Sequence, residues 1–366
     1  MSVRARRLER VRAAMSELGV DALLLSLGAD LPWLSGYEAM PLERLTMLVV
    51  PADAPATLVV PRLEAPRVEP DPDVFAIAPF AEGQDPVALV AELVGARRSL
   101  AVSDRAWATF VLGLQRALPG TVWSVASAVT GPLRAVKDPA EIEALAAASA
   151  AADRVAAALL GGEIRLVGRS EKEVSDDLGR RLVAEGHQKV NFAIVGSGPN
   201  SASPHHEPGS RRIEPGEAVV CDFGGTMDGY CSDITRTVWT ATTPEADFVE
   251  LYGVLEAAQA AAVRAAQTGV TCEAVDAAAR GPIAEGGYGD AFIHRTGHGI
   301  GLEEHEDPYI VAGNTTGLVP GHAFSVEPGI YLDGRFGARI EDIVVAADAG
   351  PRPLNTASHA LTVVDG

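Results

Sequence analysis

Apolar and polar positions alternate with two different periods along this chain. Residues 3–19 carry apolar side chains at helical spacing behind a basic start and read as an amphipathic helix. Short apolar runs of strand length follow at 22–27, 45–50, 56–60, 74–78, 99–102 and 121–125, with helical stretches at 86–95 and 107–118. Strands interleaved with helices predict a small α/β domain. The composition shifts over residues 134–140, where Asp138 supplies an N-cap and Pro139 the first helical position of a long alanine-rich helix, 139–160. The boundary is therefore set at 1–134 against 135–366. Beyond it, helices at 139–160, 170–186, 245–267 and 272–285 fall in pairs, and each pair is followed by a hairpin of strand-forming residues. That order predicts a two-layer α+β body with two similar halves.

The hairpins hold the informative polar positions. Residues 218–223 and 230–239 are β-rich and flank Gly224, Gly225, Thr226, Met227, Asp228 and Gly229, which is turn chemistry. A turn centred between Met227 and Asp228 sets Asp222 opposite Asp233. In the second hairpin a turn centred on Gly334 sets Glu327 opposite Glu341. Opposed residues have Cβ atoms about 4.5–5.5 Å apart, and paired catalytic metal ions sit about 3.5–4 Å apart, so each acidic pair could flank two cations. Alternation along the strands places Tyr331 and Arg339 on the same face as Glu327 and Glu341. A lone acid on a strand is most often a solvent-facing residue; four at matched offsets in two hairpins are a candidate site.

Composition narrows the partners. Of 366 residues 47% are hydrophobic, yet no apolar run approaches the roughly 18 residues of a membrane span, and the N-terminus lacks the apolar core of a secretory signal. A cytoplasmic protein without membrane partner is expected. Three cysteines form no disulfide framework and read as small buried hydrophobes. The formal net charge of −19 is uneven: 13 basic against 15 acidic residues over 1–135, and 17 against 34 over 136–366. An acidic second domain disfavours nucleic acid and suits divalent cations and substrates with a free α-ammonium group.

The segments GPNSASPHH (198–206), CDFGGTMDGYCSDITRT (221–237), HRTGHGIGLEEHE (294–306), SVEPGIY (325–331) and RIED (339–342), in this order, resemble those of the pita-bread metallopeptidases, in the aminopeptidase P and prolidase branch. The resemblance implies a pita-bread catalytic domain after a creatinase-like N-terminal domain, usually as a homodimer. It implies two divalent cations held by Asp222, Asp233, His298, Glu327 and Glu341. Manganese is the metal it points to, and Co²⁺, Fe²⁺ or Zn²⁺ also suit a set rich in carboxylates and free of thiolate. The nucleophile would be a metal-bridging hydroxide. Glu327 would double as proton shuttle, His205 would steady the tetrahedral intermediate, and His305 would contact substrate or intermediate. His294 would lie on the substrate side, with Tyr331 and Arg339 supporting the ligands. His187, His206, His322 and His359 match no ligand position. Phe292 and Trp33 read as core.

The activity so implied is hydrolysis of the bond before proline in small peptides with proline second, foremost by an Xaa-Pro dipeptidase. The alternative is an Xaa-Pro aminopeptidase acting on longer peptides. A metal-free creatinase-like hydrolase or a non-catalytic peptide-binding module would have lost ligand positions, and none is lost here.

Overall fold

The computed structural model describes residues 1–365, which divide into two compact units, Met1–Arg134 and a second beginning at Ala135. In the first, a six-stranded sheet runs in the order Phe75–Phe80, Ala56–Pro61, Met47–Pro51, Ala22–Leu25, Ser99–Val102, Val122–Val125. Met47–Pro51 is antiparallel to both its neighbours and the other pairings are parallel. Helices Pro86–Val94 and Ala108–Ala117 pack on it through Val90, Val94, Leu114 and Leu118. Two further helices, Asp30–Ser35 and Ser127–Ala135, fall where Pro32 and Gly131-Pro132 suggest breaks. Burial of Leu31, Trp33 and Leu34 in one and of Val129 and Thr130 in the other outweighs those local preferences.

The second unit is a two-layer α+β body. Helix Pro139–Leu160 begins with Asp138 and Glu141 in a reciprocal capping box, and Glu171–Ala184 with Ser170 and Glu173 in another. Both helices pack Val155, Leu159, Val174 and Leu178 against Val195, Cys221, Phe223 and Ile234. Those strand residues belong to a sheet ordered Thr362–Val364, Ile234–Thr240, Ala218–Met227, Lys189–Ser197. Helices Ala246–Ala265 and Cys272–Glu285 form a second core with Phe324, Val326, Ile330, Phe336 and Val344. Here the strands are Glu306–Ile310, Gly297–Gly299, Ala323–Val326, Asp342–Val345 and Arg352–Pro353, with the ribbon Gly329–Leu332/Phe336–Arg339 beside them. Among the described residues an isolated antiparallel bridge, Thr235 to Glu341, joins the two sheets. The acids singled out in the two hairpins gather, with His298, at that seam.

Candidate metal centre

Turn chemistry sets the first hairpin. Asp228 and Gly229 both have positive φ, 49° and 85°, the signature of a two-residue hairpin turn. The turn therefore lies one position later than the centre drawn from the sequence, and Asp222 faces Thr235 rather than Asp233. Because the register moves by two residues and not one, Asp233 keeps its face and lies diagonally from Asp222. Gly224 makes this approach possible: a Cβ there would meet the Ser232 carbonyl oxygen at 2.1 Å.

The second hairpin keeps the expected register, with Val326 opposite Asp342 and Gly329 opposite Arg339. Its ladder opens at the residues between. The Glu327 N–H donates to the Thr296 carbonyl at 2.8 Å and the Glu341 N–H to that of Thr235 at 3.2 Å, so each acid is tied to a different neighbouring strand. His298 arrives on Gly297–Gly299, a strand squeezed between two others. A Cβ at Gly297 would sit 1.8 Å from the Ser325 carbonyl oxygen, and one at Gly299 2.2 Å from that of Asp307. Ser325 Oγ accepts from the His298 N–H at 3.0 Å and donates to Glu327 Oε1 at 3.1 Å, tying the strand of His298 to Glu327.

All five residues line one cavity of about 500 Å³ and are at least largely buried. Asp233, His298 and Glu341 each present an atom within 4.8 Å of the other two. His298 Nε2 lies 3.2 Å from Glu327 Oε1 and 3.7 Å from Asp233 Oδ2. Asp222 Oδ2 accepts from Arg339 Nη2 at 2.6 Å, while its Oδ1 is buried without any hydrogen-bond partner. Burial pushes the Asp233 carboxyl far above its usual range, reinforced by the charges of Glu341, Asp222 and Glu327. Glu341 rises likewise through burial and then Glu327 and Asp222. For Asp222 burial outweighs Arg339 and the shift is again upward. Burial acts upward on Glu327 too, but the hydrogen bond and charge of His298 overcome it and hold the carboxyl at about 2. An orphaned carboxylate oxygen and acids that repel one another in a buried pocket are what divalent cations relieve; the donor set fits two such ions.

Around these groups runs a hydrogen-bonded chain. Arg339 Nη1 donates to Tyr331 Oη at 2.8 Å, and Tyr331 meets His294 Nε2 at 2.9 Å. His294 Nδ1 lies 2.7 Å from the Arg295 carbonyl, which assigns the proton to Nδ1 and leaves Nε2 to accept. Burial lowers the His294 pKa and pushes the Tyr331 hydroxyl up to about 12, so both are neutral. His205 and His305 stand exposed on the cavity wall, with the His305 ring 4.0 Å from that of His298.

Several residues in or beside the cavity were not singled out by sequence pattern. Thr235 donates to Glu341 Oε2 at 2.7 Å and accepts from Arg339 Nε at 3.1 Å; the Asp-Gly turn signal would have placed it opposite Asp222. Ile194 also pairs with Asp222, and with Phe192 and Pro204 it forms an apolar wall that strand alternation could have indicated. Arg295 and Glu304 complete the lining. Trp33 and Phe292 are core residues.

The fold and this acidic pocket define a metallopeptidase. The sequence pattern of metallopeptidase family M24 matches residues 143–348, and that of the creatinase/prolidase N-terminal domain matches residues 7–136. The chain belongs to family M24. It is 46% identical to the dipeptidase PepE of Mycobacterium ulcerans, covering 99% of this chain and 98% of that one, with a TM-score of 0.91. The prolidase from Thermococcus sibiricus aligns over the whole of both chains at 34% identity and a TM-score of 0.93. The Xaa-Pro dipeptidase of Lactobacillus helveticus is 34% identical, with 98% of each chain covered. Among the described residues no helix is long and apolar enough to cross a membrane.

Proposed function

We propose that this chain hydrolyses Xaa-Pro dipeptides, with Asp222, Asp233, His298, Glu327 and Glu341 holding two divalent cations, Mn²⁺ foremost. The observation that carries the reading is the gathering of buried Asp222, Asp233 and Glu341 in one cavity with the Asp222 Oδ1 left without a hydrogen-bond partner, together with the likeness to chains called dipeptidase and prolidase. When bound, two such ions lower the pKa of water and polarise a carbonyl. The chain's own groups do the rest. His205 and His305, exposed to the cavity, are available to hydrogen-bond the carbonyl oxygen as negative charge develops on it. Glu327 remains a carboxylate and can take a proton from water and pass it to the leaving amine. Neutral His294, braced by Tyr331 and Arg339, faces the substrate. An Xaa-Pro amide has no N–H, so its ring needs an apolar wall rather than an acceptor, and Phe192, Ile194 and Pro204 supply one.

We further assign 1–134 as the creatinase-like domain and 135–366 as the peptidase domain, a division supported by the chain's separation into two compact units. A homodimer in the cytoplasm completes the reading. Three buried, unpaired cysteines suit a reducing compartment, and light scattering that reports a single copy would remove the dimer. The activity itself is tested with an Xaa-Pro dipeptide and a tripeptide with proline second, first with Mn²⁺ and then with chelator. Dipeptide turnover should cease on chelation and return with metal. Turnover indifferent to chelator overturns the metal assignment, and preference for the tripeptide establishes the aminopeptidase alternative.

A further inference from the structure

We propose that Glu171, acting through His206, is the positioning residue for His205; this rests on the role given to His205 above. Glu171 opens the helix Glu171–Ala184, and its side chain is fully buried. Its carboxylate accepts from the backbone N–H and the hydroxyl of Ser197 at 2.9 and 2.8 Å. It accepts from Asn200 Nδ2 at 3.0 Å, from His206 Nε2 at 2.8 Å and from the Gly209 N–H at 3.5 Å. Every one of these donors lies between residues 197 and 209, the segment that carries His205. Burial pushes the Glu171 carboxyl up, but the donors from His206, Asn200 and Ser197 outweigh it and keep the group charged.

The other side of His205 is tied to the metal pocket. The carbonyl of Pro204 accepts from Arg339 Nη1 at 3.4 Å, and the same guanidinium holds Asp222. His205 thus sits between one neighbour anchored to Arg339 and another anchored to Glu171. Its own ring makes no hydrogen bond among the described residues and is exposed to the cavity. The direction of the imidazole is therefore inherited from the backbone on either side. Releasing His206 lets that backbone relax, and a displacement near 1 Å at a reacting group costs up to about 10²-fold in rate.

A double-mutant cycle on the metal-loaded full chain, with an Xaa-Pro dipeptide, tests the assignment. His206→Ala should lower kcat about tenfold with metal content and KM little changed. In a His205→Ala background the same substitution should cost less than about twofold. His206→Gln, whose amide can still donate to Glu171, should recover most of the rate. Glu171→Gln is read in the same cycle, and His206, which is partly exposed, carries the test if the buried substitution prevents folding. Equal losses in both backgrounds, or no loss from His206→Ala, overturn the positioning role while leaving the peptidase reading intact. A fully active His205→Ala enzyme removes the role of His205 and this proposal with it.

Discussion

The two hairpins of the second unit supply two acids each, yet they do so by different constructions. In the first, the ladder continues to a two-residue Asp228-Gly229 turn, and Asp222 and Asp233 are offset along one face. In the second, the register is kept but the ladder opens, so Glu327 bonds to the strand of His298 while Glu341 bonds to Thr235 of the other hairpin. The electrostatics, by contrast, match. Each hairpin contributes one acid beside a nitrogen-bearing partner, Asp222 with Arg339 and Glu327 with His298. Each also contributes one, Asp233 or Glu341, for which no arginine or lysine partner is found among the described residues. These two, one from each hairpin, form with His298 a group whose side-chain atoms lie within 4.8 Å of one another and could hold a metal ion.

If those two acids are shared by the ions, removing either should be the most damaging change available. Asp233→Ala or Glu341→Ala is expected to cut Xaa-Pro turnover by about 10³-fold or more, the scale of several kcal/mol of lost charge stabilisation, and to lower bound metal as read by elemental analysis. A variant that retains both rate and metal would show the hairpins to be unequal partners after all.

The register of the second hairpin was legible because Gly334 marks its centre without ambiguity. The first was misplaced by two residues because six turn-forming residues, Gly224 to Gly229, separate the strands and only the Asp-Gly pair has the positive φ that a tight turn needs. The parity of the face survived, and with it the grouping of acids in one pocket. What stayed hidden were contacts between elements distant in sequence. Thr235 reaches Glu341 across 106 positions, and His206, bland as a sequence feature, is held by Glu171 from 35 positions away. No periodicity encodes either. The short helices around Pro32 and Pro132 were invisible for a related reason, since tertiary burial decided them against local propensity.

Thr235, a side chain of the first hairpin, reaches into the second, accepting from Arg339 and donating to Glu341. Thr235→Val keeps the shape and deletes the hydroxyl, and partners of metal ligands typically contribute 10- to 100-fold to metal affinity or activity. We expect a loss within about that range, seen in a metal titration of activity. Unchanged affinity would mean that the backbone bridge alone aligns the two hairpins.

The finest test of the comparison concerns the metal-free chain, where partnered and unpartnered acids should behave in opposite ways. Asp233 has a folded pKa raised above its unfolded value, so it favours folding at low pH and loses that contribution as pH rises through the folded pKa. Glu327, depressed to about 2, contributes stability that is fully present above the unfolded carboxylate range, near pH 4.3, and is lost as pH falls toward about 2. At neutral pH with chelator present, Asp233→Asn should therefore leave the midpoint of urea unfolding unchanged or raised. Glu327→Gln should lower it, with unfolding free energy reduced by roughly 1–3 kcal/mol for a buried donor left without its charged acceptor. Added Mn²⁺ should stabilise the native chain and do so less for either variant. Equal destabilisation by both substitutions in chelator would show that Asp233 is already satisfied without metal, and the matched division of labour between the hairpins would not hold.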